Sequence, residues 1–162
     1  MTAISQNIIF NQINKSDYKM TVIFSKKCEY GLQAVLYLAA QESNDVVRVE
    51  EIANKLSIPK EFVSKILQSL TESGIVYSKK GKSGGFALAK DPKKIRLIDI
   101  VAAIDGLDIF NSCVLGFPRC SPENPCPLHE KWGILRSNAY NMLTDETLDQ
   151  LKSKTLKKLQ NL

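Results

Sequence analysis

The sequence predicts a mainly α-helical fold interrupted by one small β-hairpin, and three observations carry that reading. Apolar residues recur at three- and four-residue steps along most of the chain, the spacing of one buried helical face. One segment, residues 75–90, changes to an extended pattern around Gly81-Lys82-Ser83-Gly84-Gly85. Immediately before it, two helical patterns are parted by Ser57-Ile58-Pro59, where proline breaks the period. Helix, short turn, helix and basic hairpin, in that order, make a winged helix-turn-helix unit.

The elements follow in chain order. Residues 1–19 are polar and aperiodic, so a loose tail or a short docked helix is expected there, and Met20 is an alternative start. From Phe24 to Ala40 the residues Phe24, Cys28, Leu32, Val35, Leu36 and Ala39 mark an apolar helix face, with Ser25 as N-cap. Lys26 and Lys27 oppose the helix dipole in its first turn, which suits an external phosphate as well as a solvated face. Val47-Arg48-Val49 is short and β-branched, and Glu50 to Leu56 is helical with Ile52, Ala53 and Leu56 on one face. A second helix is expected from Lys60 to Ser73, with Phe62, Val63, Ile66, Leu67 and Leu70 inward and Gly74 as its left-handed stop. Beyond the hairpin, Asp91-Pro92 turns the chain into a helix from Leu97 to Ile104, ended by Asp105-Gly106. Leu128, Trp132, Leu135, Ala139 and Met142 then repeat at steps of four and three, a heptad seam suited to pairing with another helix. Thr144-Asp145-Glu146 is expected to open a last helix through Leu148, Leu151, Leu156 and Leu159. The organisation expected is an extension over 1–20, a winged helix-turn-helix domain over 21–106, a cysteine loop over 107–127, and a long dimerisation helix with a C-terminal helix over 128–162.

A chain of 162 residues buries a core without covalent staples. The early apolar run Ile8-Ile9-Phe10 is too short for a signal peptide, and no stretch approaches membrane-spanning length, so a reducing cytoplasm is the expected home. The net charge of +5 is unevenly placed. Arg48 to Arg96 holds eleven Lys or Arg against five Asp or Glu, whereas Leu97 to Ser112 holds three Asp and no base. Such a segment suits a directed polyanion surface. The hairpin glycines do not make a nucleotide loop, because a P-loop opens a helix and this turn is followed by a strand. They are expected to serve turn geometry and close approach to DNA.

Cys113, Cys120, Cys126 and His129 are spaced C-x6-C-x5-C-x2-H, in a chain with one other cysteine, Cys28, and no other histidine. Thiolates and imidazole are ligands for zinc or an iron–sulfur cluster, and the turn-forming residues between them suit a ligand loop. Pro127 suits the first position of the following helix, with Cys126 as N-cap and His129 in its first turn, biased by the dipole toward their metal-binding forms. Alternatives are a zinc or thiol redox site, a zinc-binding RNA module and a catalytic Cys–His pair. The RNA module usually needs aromatic residues for base stacking, and the loop offers only Phe117. No spacing signature or cofactor loop supports an enzyme.

Three segments together resemble the iron–sulfur winged-helix repressors of the IscR/NsrR type, the Rrf2 family: Phe-Ser-Lys-Lys-Cys-Glu-Tyr-Gly-Leu at 24–32, Gly-Lys-Ser-Gly-Gly-Phe-Ala-Leu-Ala-Lys at 81–90, and the cysteine trio. The resemblance runs from about Phe24 to Leu148. It implies a homodimer on a pseudo-palindromic duplex, and a 2Fe–2S or 4Fe–4S cluster on Cys113, Cys120 and Cys126 with His129 as fourth ligand. The first gap is one residue longer than in the IscR type, which leaves cluster type and fourth ligand open, and some relatives sense cysteine metabolism or other signals without a cluster. The helix at Lys60, Glu61, Ser64, Lys65 and Gln68 is expected to meet base edges, and Lys79, Lys80 and Lys82, with Lys26 and Lys27, to meet phosphates. Ser25, Tyr30, Arg48, Ser83 and Gly84 complete the expected DNA surface, and Leu128, Trp132, Leu135, Ala139 and Met142 the dimer interface.

Overall fold

The structure is a computed structural model that describes residues 23–41 and 45–161, so the expectations for residues 1–20 and Met20 lie outside it. Among the described residues six α-helices and one hairpin run in the order α1 (Lys26–Ala40), α2 (Val49–Leu56), α3 (Lys60–Glu72), β1 (Val76–Lys79), β2 (Gly85–Leu88), α4 (Leu97–Ile104), α5 (His129–Asp145) and α6 (Leu148–Gln160). Among the described residues no helix is long and apolar enough to cross a membrane.

Helix α1 starts where the sequence places its cap: Ser25 Oγ accepts from the Cys28 N–H at 3.1 Å. Helices α2 and α3 join through Ser57, held in the left-handed region at φ 54°, and Pro59. Val63, Ile66, Leu67 and Leu70 of α3 are buried against α1, α2 and the hairpin. Phe62 is not, at 57 % exposed. It lies about a quarter turn from the centre of that buried face, since successive residues are ~100° apart, so the inward placement expected for it is corrected.

The antiparallel hairpin pairs Val76 with Leu88 and Lys79 with Gly85, and a single bridge from Val47 to Phe86 adds a third edge. The glycines of its tip answer to the chain's own backbone. Gly81 sits at φ 105°, and the Gly84 N–H donates to the Gly81 carbonyl at 2.9 Å. A Cβ on Gly85 would strike the Val47 carbonyl oxygen. The close approach expected of these glycines is therefore to this chain first.

The last helix departs most from expectation. Helix α5 runs through Thr144 and Asp145, and α6 opens at Thr147, whose hydroxyl accepts from the Gln150 N–H while Gln150 Oε1 accepts from the Thr147 N–H at 2.8 Å. Helix α6 then packs along α1, burying Leu148 and Leu159 in the main core, with Leu156 left outward. It thus packs on the winged helix-turn-helix core, away from α5. Backbone bonds from Leu148 N to Ile95 O (2.9 Å) and from Leu97 N to Glu146 O (3.4 Å) fasten the junction.

A second, smaller core joins α5 to this unit: Cys28, Ile98, Val101, Phe110 and Leu143, with Phe24 and Ala139 against it. Burial, then Asp105 nearby, pushes the Cys28 thiol up from its ordinary 9.0 to about 12. Cys28 is thus packing, as the sequence suggested.

Two outcomes follow. Gly85→Ala should lower the melting temperature by roughly 3–10 °C relative to wild type, about 1–3 kcal/mol, because backbone must move to admit the methyl group; a melt unchanged within error, like that of a Ser83→Ala control, would contradict the contact. Iodoacetamide should leave Cys28 unmodified in the native protein and label it in denaturant, as read by peptide mass spectrometry. Raising the pH from 8 to 10 should speed native labelling of Cys28 very little, since its folded thiol stays protonated through that window while an unfolded one ionises.

Candidate metal centre and nucleic-acid interface

The loop between α4 and α5 turns through a short 3-10 segment, Asp108–Phe110, then runs irregularly to His129. Gly116 and Arg119 take positive φ (71° and 57°), and a bridge between Ser121 and Asn124 closes a tight turn between the second and third cysteines. These bends fold the loop on itself, so that the sulfurs of Cys113, Cys120 and Cys126 all lie within 4.8 Å of one another. Cys113 Sγ and Cys126 Sγ are 3.5 Å apart, and Cys120 Sγ is 3.2 Å from His129 Nδ1. His129 thus meets the trio at its edge, through Cys120.

The three thiols of the predicted spacing are brought together, with the imidazole beside one of them. Sulfurs ~2.3 Å from one tetrahedral ion stand about 3.8 Å from each other, so the trio as it stands matches a single metal ion, and a cluster, which spreads its cysteines over two or more irons, would need the sulfurs to move apart. All four side chains are partly exposed, which leaves the site open to solvent. Burial opposes ionisation of Cys113, but the N–H groups of Phe117 and Leu115 and the neighbouring thiols outweigh it and hold its thiol below the ordinary value. Cys126 moves the other way: burial raises it, against the Leu128 N–H, and Cys113 and Cys120 add to the rise. This direction runs against the bias toward thiolate expected for Cys126.

Helix α5 also starts later than expected. Its N-cap is Leu128 and His129 is its first residue, while Pro127 and Leu128 form a turn closed by His129 N donating to Cys126 O at 3.0 Å. Cys126 stands three residues before the helix, so the capping role expected for it, and the first-turn role expected for Pro127, are corrected.

The sequence missed how the loop is fastened. Trp132 Nε1 donates to the Ser112 carbonyl at 2.9 Å, and Arg136 Nη1 reaches the same oxygen at 3.4 Å. Both donors come from one face of α5, four residues apart, and they hold the residue next to Cys113. The legible signal was a Trp and an Arg at helical spacing just beyond the ligands. Of the seam positions, Trp132 and Ala139 are half-buried against this chain, whereas Leu128, Leu135 and Met142 are exposed, together with Ile134.

The face of α3 expected to meet base edges is polar and solvent-facing. On α3, Lys60, Glu61, Lys65 and Gln68 are exposed and Ser64 half-exposed; Gln68 Nε2 lies 3.4 Å from Ser64 Oγ. Lys60 Nζ is 2.6 Å from Glu50 Oε1 of α2, which raises the lysine and lowers the carboxyl from their ordinary values. In the wing Lys79, Lys80, Lys82 and Ser83 are exposed and Gly84 half-exposed, and Arg48 is exposed at the start of α2. At α1, Lys26 pairs with Glu29 at 2.6 Å and lies 5.2 Å from the centre of the Tyr30 ring. Glu29 gives Lys26 a local partner, and so a local reason to stand in a first turn; Lys27 has no ion pair among the described residues. Ser25 is also engaged: its N–H and hydroxyl donate to Asp105 at 2.7 and 2.5 Å, joining the start of α1 to the end of α4.

The family model described as Rrf2, iron-dependent transcriptional regulator, matches residues 24–156. A candidate HTH-type transcriptional regulator of Aquifex aeolicus (strain VF5) is 39% identical over 132 residues, 80% of this chain and 91% of that protein. Among solved structures, CymR, the global cysteine regulator of B. subtilis, superposes with a TM-score of 0.68 at 25% identity, over 81% of this chain and 96% of that one. T. potens IscR gives 0.63 at 25% identity, over 83% of this chain and 90% of that one. With a helix-turn-helix, a hairpin wing and a three-cysteine loop in one chain, the protein belongs to the Rrf2 family of transcriptional regulators.

Proposed function

We propose that this regulator is a homodimeric repressor whose affinity for a pseudo-palindromic duplex responds to an iron–sulfur cluster, 2Fe–2S or 4Fe–4S, on Cys113, Cys120 and Cys126 with His129 as fourth ligand. The observation that carries it is the convergence of three thiols within 4.8 Å in a loop bound to α5 by Trp132 and Arg136. Likeness to a protein named IscR supports the cluster. When bound, a cluster supplies a centre whose stability and charge respond to iron supply and redox state.

The chain's own residues do the rest. His129 is the first residue of α5 and Ser112 is held on the same helix, so seating the four ligands on a cluster would act on α5 from both ends of the loop. Leu135 and Met142, 62 % and 58 % exposed, with Leu128 and Ile134, give α5 an apolar strip for a second copy, joined by the half-buried Trp132 and Ala139. In a dimer the tilt of α5 sets the separation of the two α3 helices, and half-sites about 34–36 Å apart require that separation to be met. On α3, Glu61, Ser64, Lys65 and Gln68 face base edges. Lys60 would exchange Glu50 for the duplex, and Lys79, Lys80 and Lys82, with Ser83 and Gly84, would follow the backbone, with Ser25, Lys26, Lys27, Tyr30 and Arg48 at the flank.

A single zinc ion is the second reading, favoured by the compactness of the sulfur trio. Anaerobically reconstituted protein should carry iron and sulfide and absorb in the visible, and the triple Cys113, Cys120, Cys126→Ala variant should do neither; one zinc per chain with no sulfide would establish the second reading instead. Apo and reconstituted protein, titrated against one operator at fixed salt and well above any dimer dissociation midpoint, should differ roughly 5- to 150-fold in affinity, and DNA should change the cluster loss rate in the matching sense. Equal affinities and an unchanged loss rate would leave a metal that is only structural. Lys82→Ala should weaken binding to all sequences alike and lower the salt slope by about one; altered base preference at an unchanged slope would remove the wing from the phosphate contacts.

A further inference from the structure

Helix α3 buries Val63, Ile66, Leu67 and Leu70 almost completely, and these fill the space between α1, α2 and the hairpin. Phe62, one residue before the first of them, remains 57 % exposed in the helix's first turn. Full burial of a phenyl ring is worth about 1.5–3 kcal/mol, and against the described residues Phe62 realises less than half of its possible burial. Single exposed apolar residues are common, but the surroundings of this one are not neutral: Lys60, Glu61 and Lys65 are its exposed neighbours on α3. Its position is the N-terminal part of the second helix of a helix-turn-helix, the part that meets base edges in the major groove.

The major-groove edge of duplex DNA carries one exposed apolar group, the 5-methyl of thymine, and phenylalanine is among the side chains that contact it. Other edges present only donors and acceptors, which a phenyl ring would desolvate without replacing. We infer that Phe62 is a specificity-determining residue that reads thymine in each half-site through its 5-methyl group, beside the polar readout by Glu61, Ser64, Lys65 and Gln68. This rests on the DNA-binding reading above and adds a base identity to it. Electrostatic contacts to phosphate are indifferent to that base. A protein carrying the apolar contact therefore discriminates thymine from uracil, which differs by the methyl group alone.

The test uses the full-length dimer and an operator recovered from a pool of random duplexes. Each thymine of one half-site is replaced singly by deoxyuridine, and affinities are measured at fixed salt for wild type, Phe62→Leu and Phe62→Ala. Wild type should lose about fourfold at one or two adjacent thymines, the size expected for one methyl-sized group returned to water. Phe62→Ala should bind the thymine and uracil operators equally while keeping the wild-type salt slope and melting temperature, and Phe62→Leu should retain part of the discrimination. Uniform affinity across all uracil substitutions in wild type overturns the inference, as does discrimination that persists unchanged in Phe62→Ala. Recovery of no preferred duplex from the pool overturns the DNA-reading assignment itself, a distinguishable result, because every uracil comparison presupposes a bound operator.

Discussion

The small apolar joint of Cys28, Ile98, Val101, Phe110 and Leu143 is the constraint on which the relation between the two halves of the molecule depends. It gathers the start of α1, the inner face of α4, the turn after it and the far part of α5. Phe110 meets Tyr140 edge to face, with centroids 5.3 Å apart and planes at 80°, a geometry that adds roughly 0.5–1.5 kcal/mol beyond the area buried. Close-packed interiors resist continuous deformation, so α5 shifts either by repacking these side chains or by carrying α4 and α1 with it. Both routes end at α3, which packs on α1 and α4.

Helix α5 is also restrained at its ends. The Trp132 and Arg136 donors bind its first half to the cysteine loop, and the backbone bonds around Ile95, Leu97, Glu146 and Leu148 bind its last turn to the DNA-binding unit. A helix held this way behaves as a strut whose loop end is the less buried of the two. The loop's side chains are mostly exposed, a mark of segments that open at low local free energy.

How much of this was legible in the sequence depended on whether local chemistry decided the outcome. Ser25 and Gly74 act within one turn, and both stand where their chemistry predicts. The Cys and His spacing was readable because few other uses exist for three thiols among turn formers. Tertiary questions were less accessible. Phe62 is apolar and lies beside a buried face, and only the angle between it and Val63 separates inside from outside. The periodicity of Leu148, Leu151 and Leu159 shows a buried face but not what buries it, so the return of α6 to α1 was hidden. Cys126 missed its cap by the width of one Pro-Leu turn, since proline suits that turn as readily as a helix start.

The bond from Trp132 to the Ser112 carbonyl has an optical consequence. Trp132 is the only tryptophan in the chain, so all indole emission arises beside the ligand loop. Its wavelength reports the polarity around one ring that lies between the loop and the apolar joint, and its intensity reports any absorbing or quenching centre held by the nearby sulfurs. The protein thus carries a built-in fluorophore at the point where loop and helix meet, and its signal comes from neither the DNA-reading surface nor the main core.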